Sequence, residues 1–121
     1  MTDLTPEENY SAKPIRIGEI DPHPNKPAGE FISIVVSNDY VNEEYLKIVV
    51  DVPDRALIAK AGQFFHLLCP TPDGAEVWMR RPMSIYRVDK ENKRLEFLYK
   101  KEGRGTQGMA MLEPGEEFNI V

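Results

Sequence analysis

The sequence predicts an all-β domain, a six-stranded antiparallel Greek-key barrel with one short helix and a flexible N-terminal extension. Three observations support this prediction. Short runs with alternating apolar residues recur from Phe31 onward, turn residues divide them, and only one segment has the composition of a helix. Closely spaced short strands favour a barrel, because a closed sheet leaves no free edge to protect.

The strands are predicted from β-branched and aromatic residues that alternate in period two between turn residues. Three segments have the composition of turns, namely Ser37-Asn38-Asp39, Val52-Pro53-Asp54 and Pro70 to Gly74. The predicted strands are 31–37, 45–51, 63–69, 76–81, 84–89 and 95–101. Residues 118–121 are predicted to start a final strand. A single helical turn is predicted at 56–60 and a helix at 107–112, which Pro114-Gly115 terminates.

Residues 1–29 are predicted to be a Pro-rich extension, and residues 30–121 to form the domain. The extension holds five of the ten prolines and few large apolar residues, so it cannot bury enough surface to offset the entropy of ordering. We interpret it as mobile or draped over the barrel, with His23 as a solvated linker residue.

Composition and charge exclude several classes of function. A net charge of −5 disfavours nucleic acid and anionic membranes as general partners. No apolar run is long enough to span a bilayer, and residues 1–10 are acidic and polar, unlike a signal peptide, so a cytoplasmic location is expected. Cys69 is the single cysteine, which leaves no thiol cluster for zinc or iron and sulfur. We predict no metal site and no catalytic triad or carboxylate pair.

The segment from Arg80 to Ile85 has residues suited to one extended anionic ligand. A guanidinium binds phosphate oxygens through paired hydrogen bonds, and the hydroxyl of Ser84 can donate or accept. The alternative is a strand end with two solvated arginines. Pro82 counts against that alternative, because a proline within a strand requires an edge, a bulge or a ligand.

The second such segment is Gly103-Arg104-Gly105-Thr106, which precedes the predicted helix. Glycines let the backbone approach a ligand, Thr106 can cap a helix, and N–H groups at a helix start bind anions. A plain loop with a helix cap is the alternative. Between Arg80 and Arg104, nine basic residues stand against four acidic ones, so this window carries +5 in an acidic chain and favours a specific anionic ligand.

Three of these motifs, in this order, resemble the FAD-binding domain of the ferredoxin-NADP reductase superfamily. They are Arg81-Pro82-Met83-Ser84-Ile85, Leu98-Tyr99-Lys100 and Gly103-Arg104-Gly105-Thr106, and Gly62-Gln63-Phe64 also matches. Within the superfamily the sequence is most similar to electron-transfer subunits of dihydroorotate dehydrogenase and to related ferredoxin:NAD(P) and sulfhydrogenase gamma subunits. The resemblance covers residues 30–121.

The resemblance implies a role for each matching position. Arg81 would bind the FAD pyrophosphate, with Gly103, Gly105 and Thr106 holding it from the opposite side. Pro82 and Met83 would line the flavin and ribityl chain, and Ser84 would approach flavin N5. Leu98, Tyr99 and Lys100 would follow the pyrimidine side of the ring and the ribityl hydroxyls. Lys100 stands where relatives often carry Arg, which removes a bidentate contact there.

The resemblance further implies an FAD-dependent NAD(P)H oxidoreductase that passes electrons to or from an iron-sulfur or flavin partner subunit. Nothing in the 121 residues resembles a dinucleotide-binding βαβ unit, so NAD(P)H would bind in a missing domain, and any 2Fe-2S cluster would lie outside this segment. We expect this part alone to be inactive, whether it is a cloned fragment or a natural truncation. The alternative function is a non-catalytic barrel that contacts nucleic acid or another protein.

Three conspicuous residues are assigned structural roles. Trp78 is expected to be a core or barrel-surface aromatic, His66 a structural histidine in its strand, and Cys69 a small buried apolar residue.

Overall fold

The chain folds mainly into antiparallel β-structure in a computed structural model, which describes residues 13–26, 28–70 and 79–121. One 3-10 helix covers Asp54–Ile58, and the α-helix α1 covers Arg104–Met109. The strands are β1 (Ile15–Arg16), β2 (Phe31–Tyr40), β3 (Tyr45–Asp51), β4 (Phe64–Cys69), β5 (Met79–Ser84), β6 (Arg87–Asp89), β7 (Arg94–Lys100) and β8 (Glu117–Ile120).

The described strands form one eight-stranded sheet in the order β5-β4-β8-β2-β3-β7-β6, with β1 added to β2. The prediction of six strands is therefore wrong. The pair β1–β2 is parallel and the other pairs are antiparallel. The additional strands are short, and β1 arises in the predicted extension.

The predicted strand 84–89 is split because the chain changes partners within it. The N–H of Ile85 donates to the carbonyl oxygen of Gln63 at 2.7 Å, whereas that of Tyr86 donates to Glu96 at 2.8 Å. Two adjacent residues thereby connect the β4 side of the sheet with the β7 side. The sheet consequently curves into a half-barrel.

The predicted turn at 37–39 is wrong, because β2 runs through it to Tyr40. Val35 pairs with Val50 and Asn38 pairs with Ile48, and the register shifts between Val35 and Ser37. One extra residue in β2 is a β-bulge, which reverses the alternation of side chains beyond it. Asn38 therefore faces inward with the buried Ile48.

Both helical segments begin before their predicted positions. Helix α1 starts at Arg104 instead of Gln107, and the 3-10 helix spans 54–58 instead of 56–60. The cause at α1 is that extended Gly103 serves as its N-cap, so Thr106 lies inside the first turn.

The core fills the concave side of the sheet. Cys69 is fully buried there, which confirms its predicted role, whereas the side chain of His66 is exposed. Trp78 lies outside the described residues, as does the first half of the predicted strand 76–81. The largest fully buried side chains are Phe31, Phe97, Phe118, Ile48, Leu67, Leu95, Met109 and Ile120.

Part of the N-terminal segment is attached to the sheet through Arg55. Its Nε lies 2.8 Å from Oδ2 of Asp21 as an ion pair, although the N–H angle falls short of a hydrogen bond. Its Nη1 donates to the carbonyl oxygen of Ala28 at 3.0 Å, and its guanidinium lies over the ring of Phe31. None of the helices within the described residues has the length and hydropathy required to cross a membrane.

Candidate functional site

Two adjacent arginines on β5 point to opposite faces of the sheet. Directly opposite residues of antiparallel strands share a face, and Arg81 pairs with the fully buried Leu67. Arg81 therefore points inward. Arg80 points outward, where it donates to Oδ1 of Asn119 at 2.8 Å and lies 3.5 Å from Oε2 of Glu30.

The side chain of Arg81 lies against the glycine loop before α1. A β-carbon placed on Gly105 would be 2.8 Å from Arg81 Nε and 3.1 Å from its Cγ, and one on Gly103 would be 3.9 Å from Nη2. Only a glycine at 105 admits this approach without displacing Arg81. The structure thus brings together Arg81, Gly103 and Gly105, which the sequence predicted to hold one ligand.

The Nε of Arg81 is buried and has no hydrogen-bond partner in the part of the chain that the structure describes. A buried donor left unpaired is unfavourable by about 1–3 kcal/mol. Burial raises the pKa of the nearby Cys69 thiol to about 11, and the positive charge of Arg81 is a smaller effect that lowers it. Arg81 is thus a cation with unused hydrogen-bonding capacity, which suits an anionic ligand.

Thr106 determines the shape of the glycine loop. Its Oγ1 accepts the N–H groups of Glu102 and Gly103, both at 3.0 Å, and its hydroxyl lies 3.2 Å from the carbonyl oxygen of Gly103. The hydroxyl is thereby engaged within the loop. The backbone N–H groups of Gly105 and Thr106 have no acceptor within the helix, as at any helix start.

Pro82, Met83 and Ser84 are divided between the two faces of β5. Met83 is half-buried and packs against the core on the face that carries Arg81. Pro82 and Ser84 are exposed on the other face, opposite His66 and Phe64 in register. Phe64 is itself 65% exposed, so an apolar ring lies beside the Ser84 hydroxyl at this end of the sheet.

Leu98, Tyr99 and Lys100 are divided in the same way on β7. Leu98 and Lys100 are exposed, and Lys100 Nζ lies 3.5 Å from Oε2 of Glu44 and 3.9 Å from Oε2 of Glu102. Tyr99 points inward and is 3% exposed. Its hydroxyl donates to Oδ1 of Asn38 at 2.6 Å, and burial raises its pKa.

Other cations of the basic window have protein partners. Arg87 pairs with the buried Glu96 at 2.9 Å, Arg94 with Asp51 at 2.9 Å, and Lys93 with Asp54 at 3.1 Å, while Lys101 Nζ lies over the ring of Tyr40. Among the described residues of this window, Arg81 is the one with a buried nitrogen that lacks a hydrogen bond. The positive charges of the window therefore do not form one continuous basic surface. Arg81 is the position that suits a specific anionic ligand.

Comparison with known proteins identifies relatives in sequence and in fold. The electron transfer subunit of dihydroorotate dehydrogenase B (NAD(+)) from Lysinibacillus sphaericus is 38% identical over 60 residues, which are 50% of this chain and 23% of that protein. The subunit of the same name from Desulforamulus reducens is 31% identical over 90 residues, or 74% of this chain and 31% of that protein. The chain thus spans less than a third of their lengths. No protein-family model matches it.

Solved structures share the fold at low sequence identity. An NADH-dependent reduced ferredoxin-NADP oxidoreductase aligns with a TM-score of 0.63 and 18% identity, over 74% of this chain and 31% of that one. A ferredoxin NADP+ reductase from Neisseria gonorrhoeae, with bound FAD and NADP, aligns with a TM-score of 0.58 and 17% identity, over 77% and 37%.

The sequence relatives confirm the resemblance predicted from the motifs, and the solved structures show that the fold is that of ferredoxin-NADP reductase-type proteins. Within that class, the sequence similarity is to the electron transfer subunits of dihydroorotate dehydrogenase B.

Proposed function

We propose that this chain is the flavin-binding domain of an oxidoreductase and that its ligand is FAD. The observation that carries the proposal is the contact between Arg81 and Gly105, which leaves a buried guanidinium N–H unpaired beside a glycine loop. A pyrophosphate offers the acceptor oxygens and the negative charge that this arrangement lacks.

The residues present fit FAD in charge and shape. Arg81 would hold the pyrophosphate, and Gly105 and Thr106 would present backbone N–H groups to it. The N–H of Gly103 donates to Thr106 Oγ1, so Gly103 would contribute only the close approach of the backbone. Met83, Pro82 and Ser84 would orient the flavin and ribityl chain, with the exposed Leu98 and Lys100 on the pyrimidine side. The side chain of Tyr99 points inward to Asn38, away from that side. FAD, when bound, supplies the conversion between a two-electron hydride and single electrons. The chain's own contribution is to fix the position of the cofactor.

We further propose that the whole protein passes electrons between NAD(P)H and an iron-sulfur or flavin partner subunit. The similarity to electron transfer subunits supports this proposal. NAD(P)H would bind to a domain beyond these residues, as would any 2Fe-2S cluster. A closed Greek-key barrel and a cytoplasmic location remain predictions.

The alternative, a barrel that contacts nucleic acid or another protein without a cofactor, is disfavoured. Arg87, Arg94 and Lys93 are neutralised by carboxylates on the protein itself. A nucleic-acid site would instead present several uncompensated cations along one surface.

Titration with FAD and with riboflavin, followed by flavin fluorescence, tests the proposal. Arg81→Ala should weaken FAD binding by about ten- to a hundredfold, because one charge-assisted contact contributes about 1.5–3 kcal/mol. Riboflavin has no phosphate, and its affinity should change little. Lys90→Ala is the matched control, since it removes one positive charge from the exposed turn of the same window. Equal losses in both variants would leave only a general electrostatic effect, and the specific assignment of Arg81 would be rejected.

A further inference from the structure

Asn38 lies at the centre of a hydrogen-bonded relay between β7 and the C-terminal end of α1. Its Oδ1 accepts the hydroxyl of Tyr99 at 2.6 Å. Its Nδ2 donates to the carbonyl oxygens of Met109 at 2.9 Å and Leu112 at 3.0 Å. Both amide hydrogens and the amide oxygen are thus used, and the reverse orientation of the amide would set acceptor against acceptor at the two carbonyls.

The relay depends on the β-bulge in β2. Because the register shifts between Val35 and Ser37, Asn38 faces the interior instead of solvent. There it donates to the carbonyl oxygen of Met109, which also accepts the N–H of Leu112 at 3.1 Å, and to the carbonyl oxygen of Leu112 just beyond the helix. Asn38 therefore connects the C-terminal end of α1 and the turn after it to a distant strand.

Helix α1 requires such attachment because it is short. Its six residues are too few to be stable in isolation, so contacts with the sheet determine its position. Met109 is fully buried, with its sulfur 3.9 Å from Cys69 Sγ, and Asn38 holds the carbonyl of the same residue. At the other end of the helix, Gly105 lies against Arg81.

We infer that Asn38 and Tyr99 are positioning residues for the pyrophosphate side of the flavin site, because they hold α1 where Gly105 meets Arg81. The inference rests on the proposed function. It assigns Tyr99 to act through Asn38 and not by contact with the flavin ring. Burial keeps the phenol of Tyr99 protonated, so it stays a donor to Asn38 across the ordinary pH range.

The test compares FAD with riboflavin in two variants of the relay. Asn38→Leu removes both halves of the relay, and Tyr99→Phe removes only the hydroxyl while keeping the buried ring. We expect the FAD dissociation constant to rise about tenfold for Asn38→Leu, which loses three neutral hydrogen bonds, and about threefold for Tyr99→Phe, which loses one. Riboflavin affinity should stay unchanged. Tyr40→Phe is the control, because the Tyr40 ring is 55% exposed and its hydroxyl is not in the relay.

Combination with Arg81→Ala separates the possible outcomes. If the relay acts through Arg81, Asn38→Leu causes no further loss of FAD affinity in that background. Equal weakening of FAD and riboflavin, or none, overturns the inference while Arg81→Ala still supports the proposed function. An Arg81→Ala variant with unchanged FAD affinity overturns both. If circular dichroism shows that Asn38→Leu does not fold, the milder Tyr99→Phe variant is used instead. The comparison of FAD with riboflavin affinity in that variant then decides.

Discussion

The guanidinium of Arg81 lies so close to Gly105 that a β-carbon at this glycine would come within 2.8 Å of Nε. Arg81 is on a strand and Gly105 on a helix, and neither residue alone distinguishes a ligand site from a solvated arginine or a plain loop. Their contact leaves the Nε of Arg81 buried without a hydrogen bond among the described residues. The pair is therefore the point at which we propose that an anion binds.

Gly105→Ala is expected to weaken FAD binding by displacing Arg81. The added methyl group occupies the place of the arginine side chain, so the loss should be about tenfold or more, comparable to removal of one charged hydrogen bond. The measurement is a double-mutant cycle with Arg81→Ala by calorimetric titration. Once Arg81 is gone, Gly105→Ala should cost no further affinity. If Gly105→Ala lowered FAD affinity equally in the Arg81→Ala variant, Gly105 would contribute to FAD binding independently of Arg81.

Arg80→Ala and Arg81→Ala are expected to separate stability from affinity. Arg80 is held on the outer face by Asn119 and Glu30, so its removal should lower the free energy of unfolding by about 0.5–1 kcal/mol, with FAD affinity unchanged. Arg81→Ala removes an unpaired buried donor and should leave the stability of the apo-domain equal or higher. Urea denaturation and FAD titration of both variants give the comparison. A loss of FAD affinity in Arg80→Ala would contradict the assignment of opposite faces.

Asp21→Asn is expected to destabilise the domain through Arg55. The two side chains are 15% and 7% exposed, so neutralising one partner leaves a buried charge without compensation, at about 3 kcal/mol. Asp54→Asn is the matched control, because its ion pair with Lys93 is exposed and should contribute less than about 1 kcal/mol. Chemical denaturation measures both. If Asp21→Asn and Asp54→Asn lowered the free energy of unfolding by similar small amounts, the N-terminal segment would contribute little to the stability of the fold.

Cys69 is expected to make the stability of the domain decrease in alkaline solution. Burial raises the pKa of its thiol from 9.0 to about 11, so between these values the folded state keeps a proton that the unfolded state releases. Stabilisation is therefore complete below pH 9 and falls by about 2–3 kcal/mol as the pH rises to 11. The measurement is the free energy of unfolding of wild type and Cys69→Ala across this range. If the free energy of unfolding fell equally with pH in wild type and Cys69→Ala, the thiol would ionise equally in the folded and unfolded states.

Most strand positions and the two candidate anion-binding segments could be predicted from the sequence alone. Alternation along 45–51 and 63–69 and the turn chemistry around Val52-Pro53-Asp54 are local properties, so they could be predicted without knowing which strands pair. The same is true of the arginine and glycine motifs, whose residue types suit a phosphate ligand.

Which of these residues come into contact depends on the folded chain. The bulge that turns Asn38 inward, the change of partner at Ile85 and the approach of Arg81 to Gly105 all depend on the register between segments distant in sequence. A register shift of one residue exchanges the two faces of a strand while the local pattern of residues is unchanged. For that reason Asn38 was predicted to lie in a turn, although in the folded chain it connects β7 to the helix beside the site.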